Sequence, residues 1–268
     1  MNQEKPKAEK FKNPPLVELV AELRWRPHGI NLTPGADSNR DEELFMRFGA
    51  KISQEGFSQF ERVVPPGFPL TTLQPVYRYR RGQSEQGTSL YQLGPGLFSA
   101  NITPPYNSWN NFRPIVESGI INLIACRDET EKEKPFNTVL LRYIDAFDSK
   151  FMENTTLVDF MAKLGFEIKL PTSIRNLSYP QAIITPILQF GIQLKDDFNL
   201  TVSTGNGNSG GQTALILDMT LSTLKSTECD IAQVMQVLNH AHDIIHSIFI
   251  DITKPIEKLM EPIGDDVC

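Results

Sequence analysis

NPPLVELVAELRWRP, residues 13–27, decides how the first half of this chain is interpreted. Apolar side chains alternate with more polar ones, and this alternation continues unbroken to Trp25. A helical stripe also fits part of the segment, but it ends at Leu23. The longer pattern predicts a β-strand with an apolar side and a charged side, the latter carrying Glu18 and Arg24.

A related segment, VLLRYIDAF, occupies residues 139–147. Its Leu-Arg-Tyr matches the Leu-Arg-Trp of the first segment. Around each segment the pattern predicts the same order of elements: a strand, a helix, a three-stranded meander and a second helix. This order predicts an α+β fold of two related β-α-β-β-β-α halves, which form mostly antiparallel sheet covered by long helices. An internal duplication and a chance repetition of a common order both explain it.

The predicted organisation is a disordered tail at residues 1–12, a first half at 13–134 and a second half at 135–268, together making one compact unit. Within the second half, LPTSIRNLSYP at residues 170–180 is predicted as a loop bounded by prolines. GNGNSGGQ at residues 205–212 is predicted as a mobile hairpin tip. The last long helix is expected from about Asp230 to Asp251.

Composition excludes several classes of protein. No apolar run approaches the roughly 20 residues that cross a bilayer, and the polar, lysine-rich start is not a secretory signal. The three cysteines are far apart and odd in number, so they predict neither a zinc motif nor a disulfide framework. A reducing cytoplasm is the expected location, and no cofactor is predicted. The net charge of −6 disfavours broad attraction to nucleic-acid phosphates.

Three segments together resemble a sporadically distributed bacterial protein family without an assigned activity: NPPLVELVAELRW, YQLGPGLFSANITPPYNSWNNFRPIV and LLRYID. The family has an N-terminal Asn-Pro-Pro-apolar-x-Glu motif, which corresponds here to Asn13, Pro14, Pro15, Leu16 and Glu18. The resemblance spans roughly residues 13 to 147 and implies no catalytic residues. The family's patchy distribution implies an accessory role in phage defence or in another mobile-gene system.

Two arginines, Arg24 and Arg142, each interrupt an apolar strand beside an aromatic residue. A partly buried guanidinium needs a carboxylate partner, and Glu22 and Asp145 are close in sequence. The structural hypothesis is therefore a pair of equivalent buried ion pairs. The functional hypothesis is a pair of anion-binding groups in a groove between the halves.

Aromatic residues extend the candidate binding set. Tyr106 and Trp109 lie beside a predicted helix start, where they can line a pocket or staple the helix to its surroundings. The predicted ligand- or partner-binding residues are Arg24, Trp25, Arg142, Tyr143, Tyr106 and Trp109.

HDIIH places His242 and His246 four residues apart on the last helix, a spacing that can bind zinc. A metalloprotease would carry glutamate after the first histidine, whereas this chain has Asp243. No third ligand accompanies the pair in sequence, so a packing role is favoured. A metal-dependent hydrolase that uses the two histidines is the catalytic alternative.

VYRYRRG interleaves Tyr77 and Tyr79 with Arg78, Arg80 and Arg81. Such a pattern can stack bases and neutralise phosphates, but cations also protect an exposed strand edge from aggregation. The acidic net charge favours the second interpretation, and nucleic-acid binding is the less favoured one.

The absence of a recognisable catalytic motif favours a non-catalytic cytoplasmic binding or sensing protein, working with another protein or with a copy of itself. The alternative is a small-molecule or lipid binder. That alternative predicts a cavity of roughly 300 to 1,000 Å³ between sheet and helix.

Overall fold

The computed structural model describes residues 10–27, 31–32, 36–82, 88–105, 108–153, 155–179 and 181–263. The strands in these ranges are β1 (Lys10–Phe11), β2 (Leu16–Arg24), β3 (Asn31–Leu32), β4 (Gln59–Arg62), β5 (Leu70–Thr71), β6 (Tyr77–Arg80), β7 (Thr88–Gly94), β8 (Leu97–Thr103), β9 (Thr138–Phe147), β10 (Ile187–Gln193), β11 (Phe198–Ser209), β12 (Gln212–Thr223) and β13 (Pro262–Ile263). The helices are α1 (Ala36–Ser53), α2 (Trp109–Cys126), α3 (Glu129–Lys132), α4 (Ser149–Met152), α5 (Leu157–Lys163), α6 (Thr172–Leu177), α7 (Ile231–Thr253) and α8 (Glu257–Met260), with a 3-10 turn at Lys254–Ile256. The predicted α+β class is confirmed.

One nine-stranded sheet dominates the molecule, in the order β10-β11-β12-β9-β2-β8-β7-β6-β4. Neighbouring strands are antiparallel throughout. The two strands that the sequence singled out, β2 and β9, lie side by side at its centre, with Arg24 opposite Thr138 and Val20 opposite Arg142. The meander of each half continues outward from its own central strand. The first half adds one further strand, β4, which has no counterpart in the second half, and a duplication stays a prediction.

The alternation of side chains in β2 and β9 sorts the sheet into two faces. Leu19 and Leu23 of β2 and Leu141 of β9 belong to the hydrophobic core, which also contains buried residues of α1, α2 and α7. The core therefore joins both halves of the chain. Val20 and Leu140, on the opposite face, are buried but lie outside that core, so we call this opposite side the open face.

Aromatic residues attach the helices to the first half of the sheet. The Tyr91 hydroxyl of β7 donates a hydrogen bond to the carbonyl oxygen of Ile115 in α2, at 2.6 Å. The Tyr79 hydroxyl of β6 donates to the carbonyl oxygen of Phe45 in α1, at 2.7 Å. Burial raises the pKa of both tyrosines well above its ordinary value, so their hydroxyls remain hydrogen-bond donors.

Several predictions of local structure need correction. Residues 1–9 of the predicted tail lie outside the described ranges, whereas Lys10 and Phe11 form β1 and pair with β13. The loop predicted at 170–180 contains the short helix α6. In the predicted hairpin tip at 205–212, strand pairing continues through Ser209 opposite Gln212, and only Gly210 and Gly211 form the turn. Within the described ranges, no helix combines the length and the hydropathy that a membrane span requires.

Candidate ligand pocket

A cavity of about 480 Å³ lies on the helix-covered face of the sheet, beside the central strand β9. Its walls come from four parts of the chain: the segment before and at the start of β2, the start of α2, the middle of β9, and one side of α7. Apolar groups contributed by Phe11, Pro14, Pro15, Ile245 and Phe249 make up much of the lining. The cavity is therefore of the size and character of a small-molecule site.

The N-terminal wall of this pocket is fixed by the last residues that the structure describes. Strand β1 pairs with β13, so that Lys10 lies opposite Ile263. The backbone N–H of Asn13 donates to the carbonyl oxygen of Met260 at 3.0 Å, and its side-chain amide donates to Glu261 Oε1 at 3.0 Å. These bonds hold the two prolines that follow Asn13 against the cavity.

A β-bulge connects that wall to the centre of the sheet. Leu16 lies opposite Asp145, but Glu18 lies opposite Ile144, so β2 carries one extra residue at this point. Bulges bend a strand and re-aim its side chains, and they are frequent beside functional sites. Beyond the bulge, Glu18 accepts a hydrogen bond from the Asn101 side chain at 2.8 Å. Pro14, Pro15 and Leu16 of the Asn-Pro-Pro-apolar-x-Glu motif therefore line this side of the pocket and Asn13 anchors them, whereas Glu18 lies on the open face of the sheet.

A row of three stacked rings forms the opposite wall. The Trp109 and His242 ring centroids are 5.2 Å apart with planes 12° from parallel, and those of His242 and His246 are 5.6 Å apart at 21°. The two histidines share one side of α7 because residues four apart on a helix are neighbours. Trp109 Nε1 donates to Asn239 Oδ1 at 2.9 Å, and this bond fixes the indole plane. The Tyr143 hydroxyl lies 2.6 Å from His242 Nδ1.

The histidines of this row are uncharged at neutral pH. Burial lowers the pKa of His242 to about 4, and the neighbouring His246 contributes in the same direction. Burial also lowers the pKa of His246. Each neutral ring therefore offers one hydrogen-bond donor and one acceptor rather than a positive charge.

Asp145 is the most strongly perturbed group in the pocket. It is only 2% exposed, and burial, with a smaller contribution from the charge of Asp218, raises its pKa to about 8. Asp145 Oδ2 and His246 Nε2 are both buried, and neither has a hydrogen-bond partner among the described residues. An unpaired buried polar atom costs about 1–3 kcal/mol. Asp145 and His246 both line the same cavity, so these two unpaired groups lie at its wall.

The six predicted binding residues do not form one surface. Trp109 and Tyr143 both line the pocket, whereas Tyr106 lies outside the described residues. Trp25 is buried in the core, edge to face with Phe136 at 6.1 Å. Arg24 and Arg142 both lie on the open face. Arg142 is opposite Val20, and Arg24 is four residues further along β2, which corresponds to about 13 Å at 3.3 Å per residue.

Both arginines are paired with carboxylates, but the two pairs are part-exposed and differ from each other, so the predicted pair of equivalent buried ion pairs needs correction. Arg24 Nε is bonded to Glu22, one of the expected partners. The partner of Arg142 is Asp218 of β12, with Nε at 2.9 Å from Oδ1; this hydrogen bond raises the pKa of Arg142. Asp145 cannot serve, because residues three apart on a strand face opposite sides of the sheet. The halves meet where β2 and β9 are hydrogen-bonded neighbours, and an anion-binding groove at this junction stays a prediction.

The geometry does not favour metal binding by the two histidines or nucleic-acid stacking on the tyrosines. Among the residues that the structure describes, no cluster of three or more His, Cys, Asp or Glu side chains is placed to hold a metal ion. The third nearby histidine, His240, is exposed and lies 3.4 Å from Asp196, outside the pocket lining. For nucleic-acid stacking, Tyr77 and Tyr79 are buried against the helices, so they present no open ring face next to Arg78 and Arg80.

Sequence reasoning missed Asp145, Asn239 and the N-terminal wall as parts of a site. Asp145 carried a usable signal, because it falls on the apolar side of the alternation between Tyr143 and Phe147. A carboxyl in that position must be buried, and buried perturbed carboxyls are concentrated at functional sites. Asn239 carried no comparable signal, since polar residues are common on one side of a helix.

Comparisons with known proteins do not identify a family for this chain. No protein-family model matches the chain, and no curated protein matches it. Among solved structures, the di-domain ARO/CYC StfQ from the steffimycin biosynthetic pathway aligns over 91% of this chain and 98% of its own, with 6% identity and a TM-score of 0.22. Similarity at that level carries no argument about fold or function.

Proposed function

We propose that this protein binds a small molecule in the pocket between β9, α2 and α7. The observation that carries the proposal is that Asp145 and His246, each with a buried and unpartnered polar atom, both line a cavity of about 480 Å³. That volume falls inside the range of roughly 300 to 1,000 Å³ that is typical of ligand sites.

The chemistry of the lining defines the ligand class. The Trp109–His242–His246 row offers a flat, uncharged wall against which a planar ring can stack. The carboxyl of Asp145, protonated at neutral pH, can donate a hydrogen bond or give up its proton to a basic group. A planar, largely apolar molecule with a nitrogen or oxygen acceptor at one end satisfies both features.

Binding without turnover fits the described lining better than catalysis does. No cysteine lines the pocket, and the hydroxyl of Ser108 donates to Asn111 Oδ1 at 3.0 Å rather than to a base. The expected role is therefore recognition or sensing. A place in phage defence stays a prediction from the family resemblance, and the comparisons lend no support to it or to hydrolase activity.

The test uses His246→Phe, which keeps a flat ring but removes the unpartnered nitrogen. His240→Phe is the matched control on the same helix, outside the pocket lining. Each protein is incubated with a small-molecule extract of host cells, washed and denatured, and the released molecules are identified by mass spectrometry.

We expect one compound class to be retained by wild type and by His240→Phe, with retention at least about tenfold lower for His246→Phe. That factor corresponds to the loss of about one hydrogen bond. Equal retention by all three proteins, or none by wild type, would overturn the proposal. Thermal unfolding confirms that both variants are folded.

A further inference from the structure

A single stretch, residues 174–192, carries most of the large apolar side chains that the described surface exposes. Eight of the thirteen exposed large apolar residues lie in it: Ile174, Leu177, Tyr179, Ile183, Ile184, Ile187, Phe190 and Ile192. Leu177 is 89% exposed, Ile183 91% and Ile187 83%. Helix α6, which begins this stretch, has no buried residue. We call residues 174–179 and 181–192 the apolar segment.

The apolar segment ends in an edge strand. Strand β10 is the first strand of the nine-stranded sheet and is hydrogen-bonded to β11 on one side. In an antiparallel strand, alternate residues direct their N–H and C=O groups away from the partner, so the outer edge of β10 can accept another strand.

The opposite edge of the sheet is protected and provides a comparison. Strand β4 reads QFER and carries Glu61 and Arg62, and charges of this kind discourage edge-to-edge pairing. Strand β10 reads ILQFGIQ and carries none. The two edges are therefore built differently, and only that of β10 is suited to pairing.

Charge identifies the partner. Residues 176–194 contain no Asp, Glu, Lys, Arg or His, in a chain whose net charge is −6. In a two-fold symmetric interface each surface meets its own copy, so any net charge there would meet the same charge. Arg175 is the one charged residue of the apolar segment, and its guanidinium donates to the carbonyl oxygen of Leu170. A surface with so little charge on an acidic protein is where two copies can approach with little repulsion, and it offers little to a partner recognised by charge.

The exposed area is large enough for a stable dimer. A whole large side chain presents on the order of 200 Å². Weighted by their exposed fractions, the eight apolar side chains therefore present on the order of 1,000 Å² per copy. A stable interface of standard size buries about 800 Å² per partner.

We propose that two copies of this chain associate through the apolar segment, with their β10 strands pairing antiparallel about a two-fold axis. The two sheets then become continuous, and α6 of each copy covers apolar surface of the other. Because the association is two-fold, it closes at the dimer. The proposal is independent of the pocket.

Analytical ultracentrifugation of the full chain tests this proposal. Wild type should sediment as a dimer of about 60 kDa, twice the chain mass of 30.2 kDa. Ile187→Lys places a charge on the exposed apolar segment and should weaken the dimer at least about a hundredfold, because association would bury an unpaired lysine of each copy in an apolar interface. The matched control is Phe60→Lys on the opposite edge strand, a side chain 71% exposed, which should leave the dimer intact.

Amide hydrogen exchange supplies a second measurement on wild type. Exchange in residues 187–193 should slow as the protein concentration rises from about 1 µM to about 100 µM, since association follows mass action. A monomer at the higher concentration, open-ended oligomers, or a dimer that survives Ile187→Lys would each overturn the proposal. A monomer that instead binds phosphatidylcholine–phosphatidylglycerol vesicles through this segment would also overturn it.

Discussion

Asp145 should make the protein less stable as the pH rises, and Asp145→Asn should remove that dependence. Burial raises the pKa of this carboxyl to about 8, whereas an aspartate in an unfolded chain titrates near about 3.9. Between these values the folded protein holds a proton that the unfolded chain has released. The free energy of unfolding therefore falls by about 1.4 kcal/mol per pH unit. This loss begins near pH 4 and is complete above about pH 8.

The two pocket histidines act in the opposite direction and at lower pH. Their pKa values are lowered by burial, so the unfolded chain takes up protons below about pH 6.5 that the folded protein does not. Their contribution to stability is lost as the pH falls through that range. Between about pH 6.5 and about pH 8 the contribution of Asp145 alone should fall by roughly 1.5 to 2 kcal/mol, while the two histidines offset part of this loss. The difference between wild type and Asp145→Asn isolates the contribution of Asp145.

Urea unfolding followed by tryptophan fluorescence measures this dependence. We expect the stability of wild type to fall by that amount relative to Asp145→Asn across that pH range, while Asp197→Asn behaves as wild type. Asp197 is a suitable control because it is exposed and paired with Lys225 at the surface. Parallel curves for wild type and Asp145→Asn would refute the assignment of a raised pKa to this carboxyl.

Two further substitutions test the packing. Gly94→Ala should destabilise the fold by about 3 kcal/mol or more, because the added Cβ would lie 1.8 Å from the backbone carbonyl oxygen of Gln74; Gly82→Ala, with open space at its Cβ, should be nearly neutral in the same thermal unfolding assay. Trp109→Phe should cost about 1 kcal/mol, because it removes the hydrogen bond to Asn239. A melting temperature equal to that of wild type would show that this bond does not stabilise the pocket wall.

The sheet was predictable because its strands are covered on one face. Half-buried strands repeat every two residues, and that period is visible in β2 from Val17 to Trp25. The likeness between this strand and VLLRYIDAF indicated two comparable central strands. The sheet order then places them side by side.

The pocket was only partly predictable, because its walls come from segments that are far apart in sequence. Trp109 and Tyr143 were singled out for their chemistry, but nothing in the sequence brings Trp109 to His242 or Pro15 to Asp145. The partner of Arg142 was missed for a related reason, since strand neighbours decide which carboxylate is in reach. Helix α6 was missed because its six residues bury no side chain, so no periodic pattern marks it.

The adjacency of β2 and β9 determines how the chain can be divided. A cut near residue 134 separates the predicted halves in sequence, but it also opens the middle of the hydrogen-bonded ladder. Trp109 then belongs to one fragment and His242 to the other, so neither fragment alone contains the three stacked rings of the pocket wall. Fragments mixed in solution would have to re-form the pairing between β2 and β9 before a ligand could bind. The bound ligand would contact both fragments and would therefore stabilise their association.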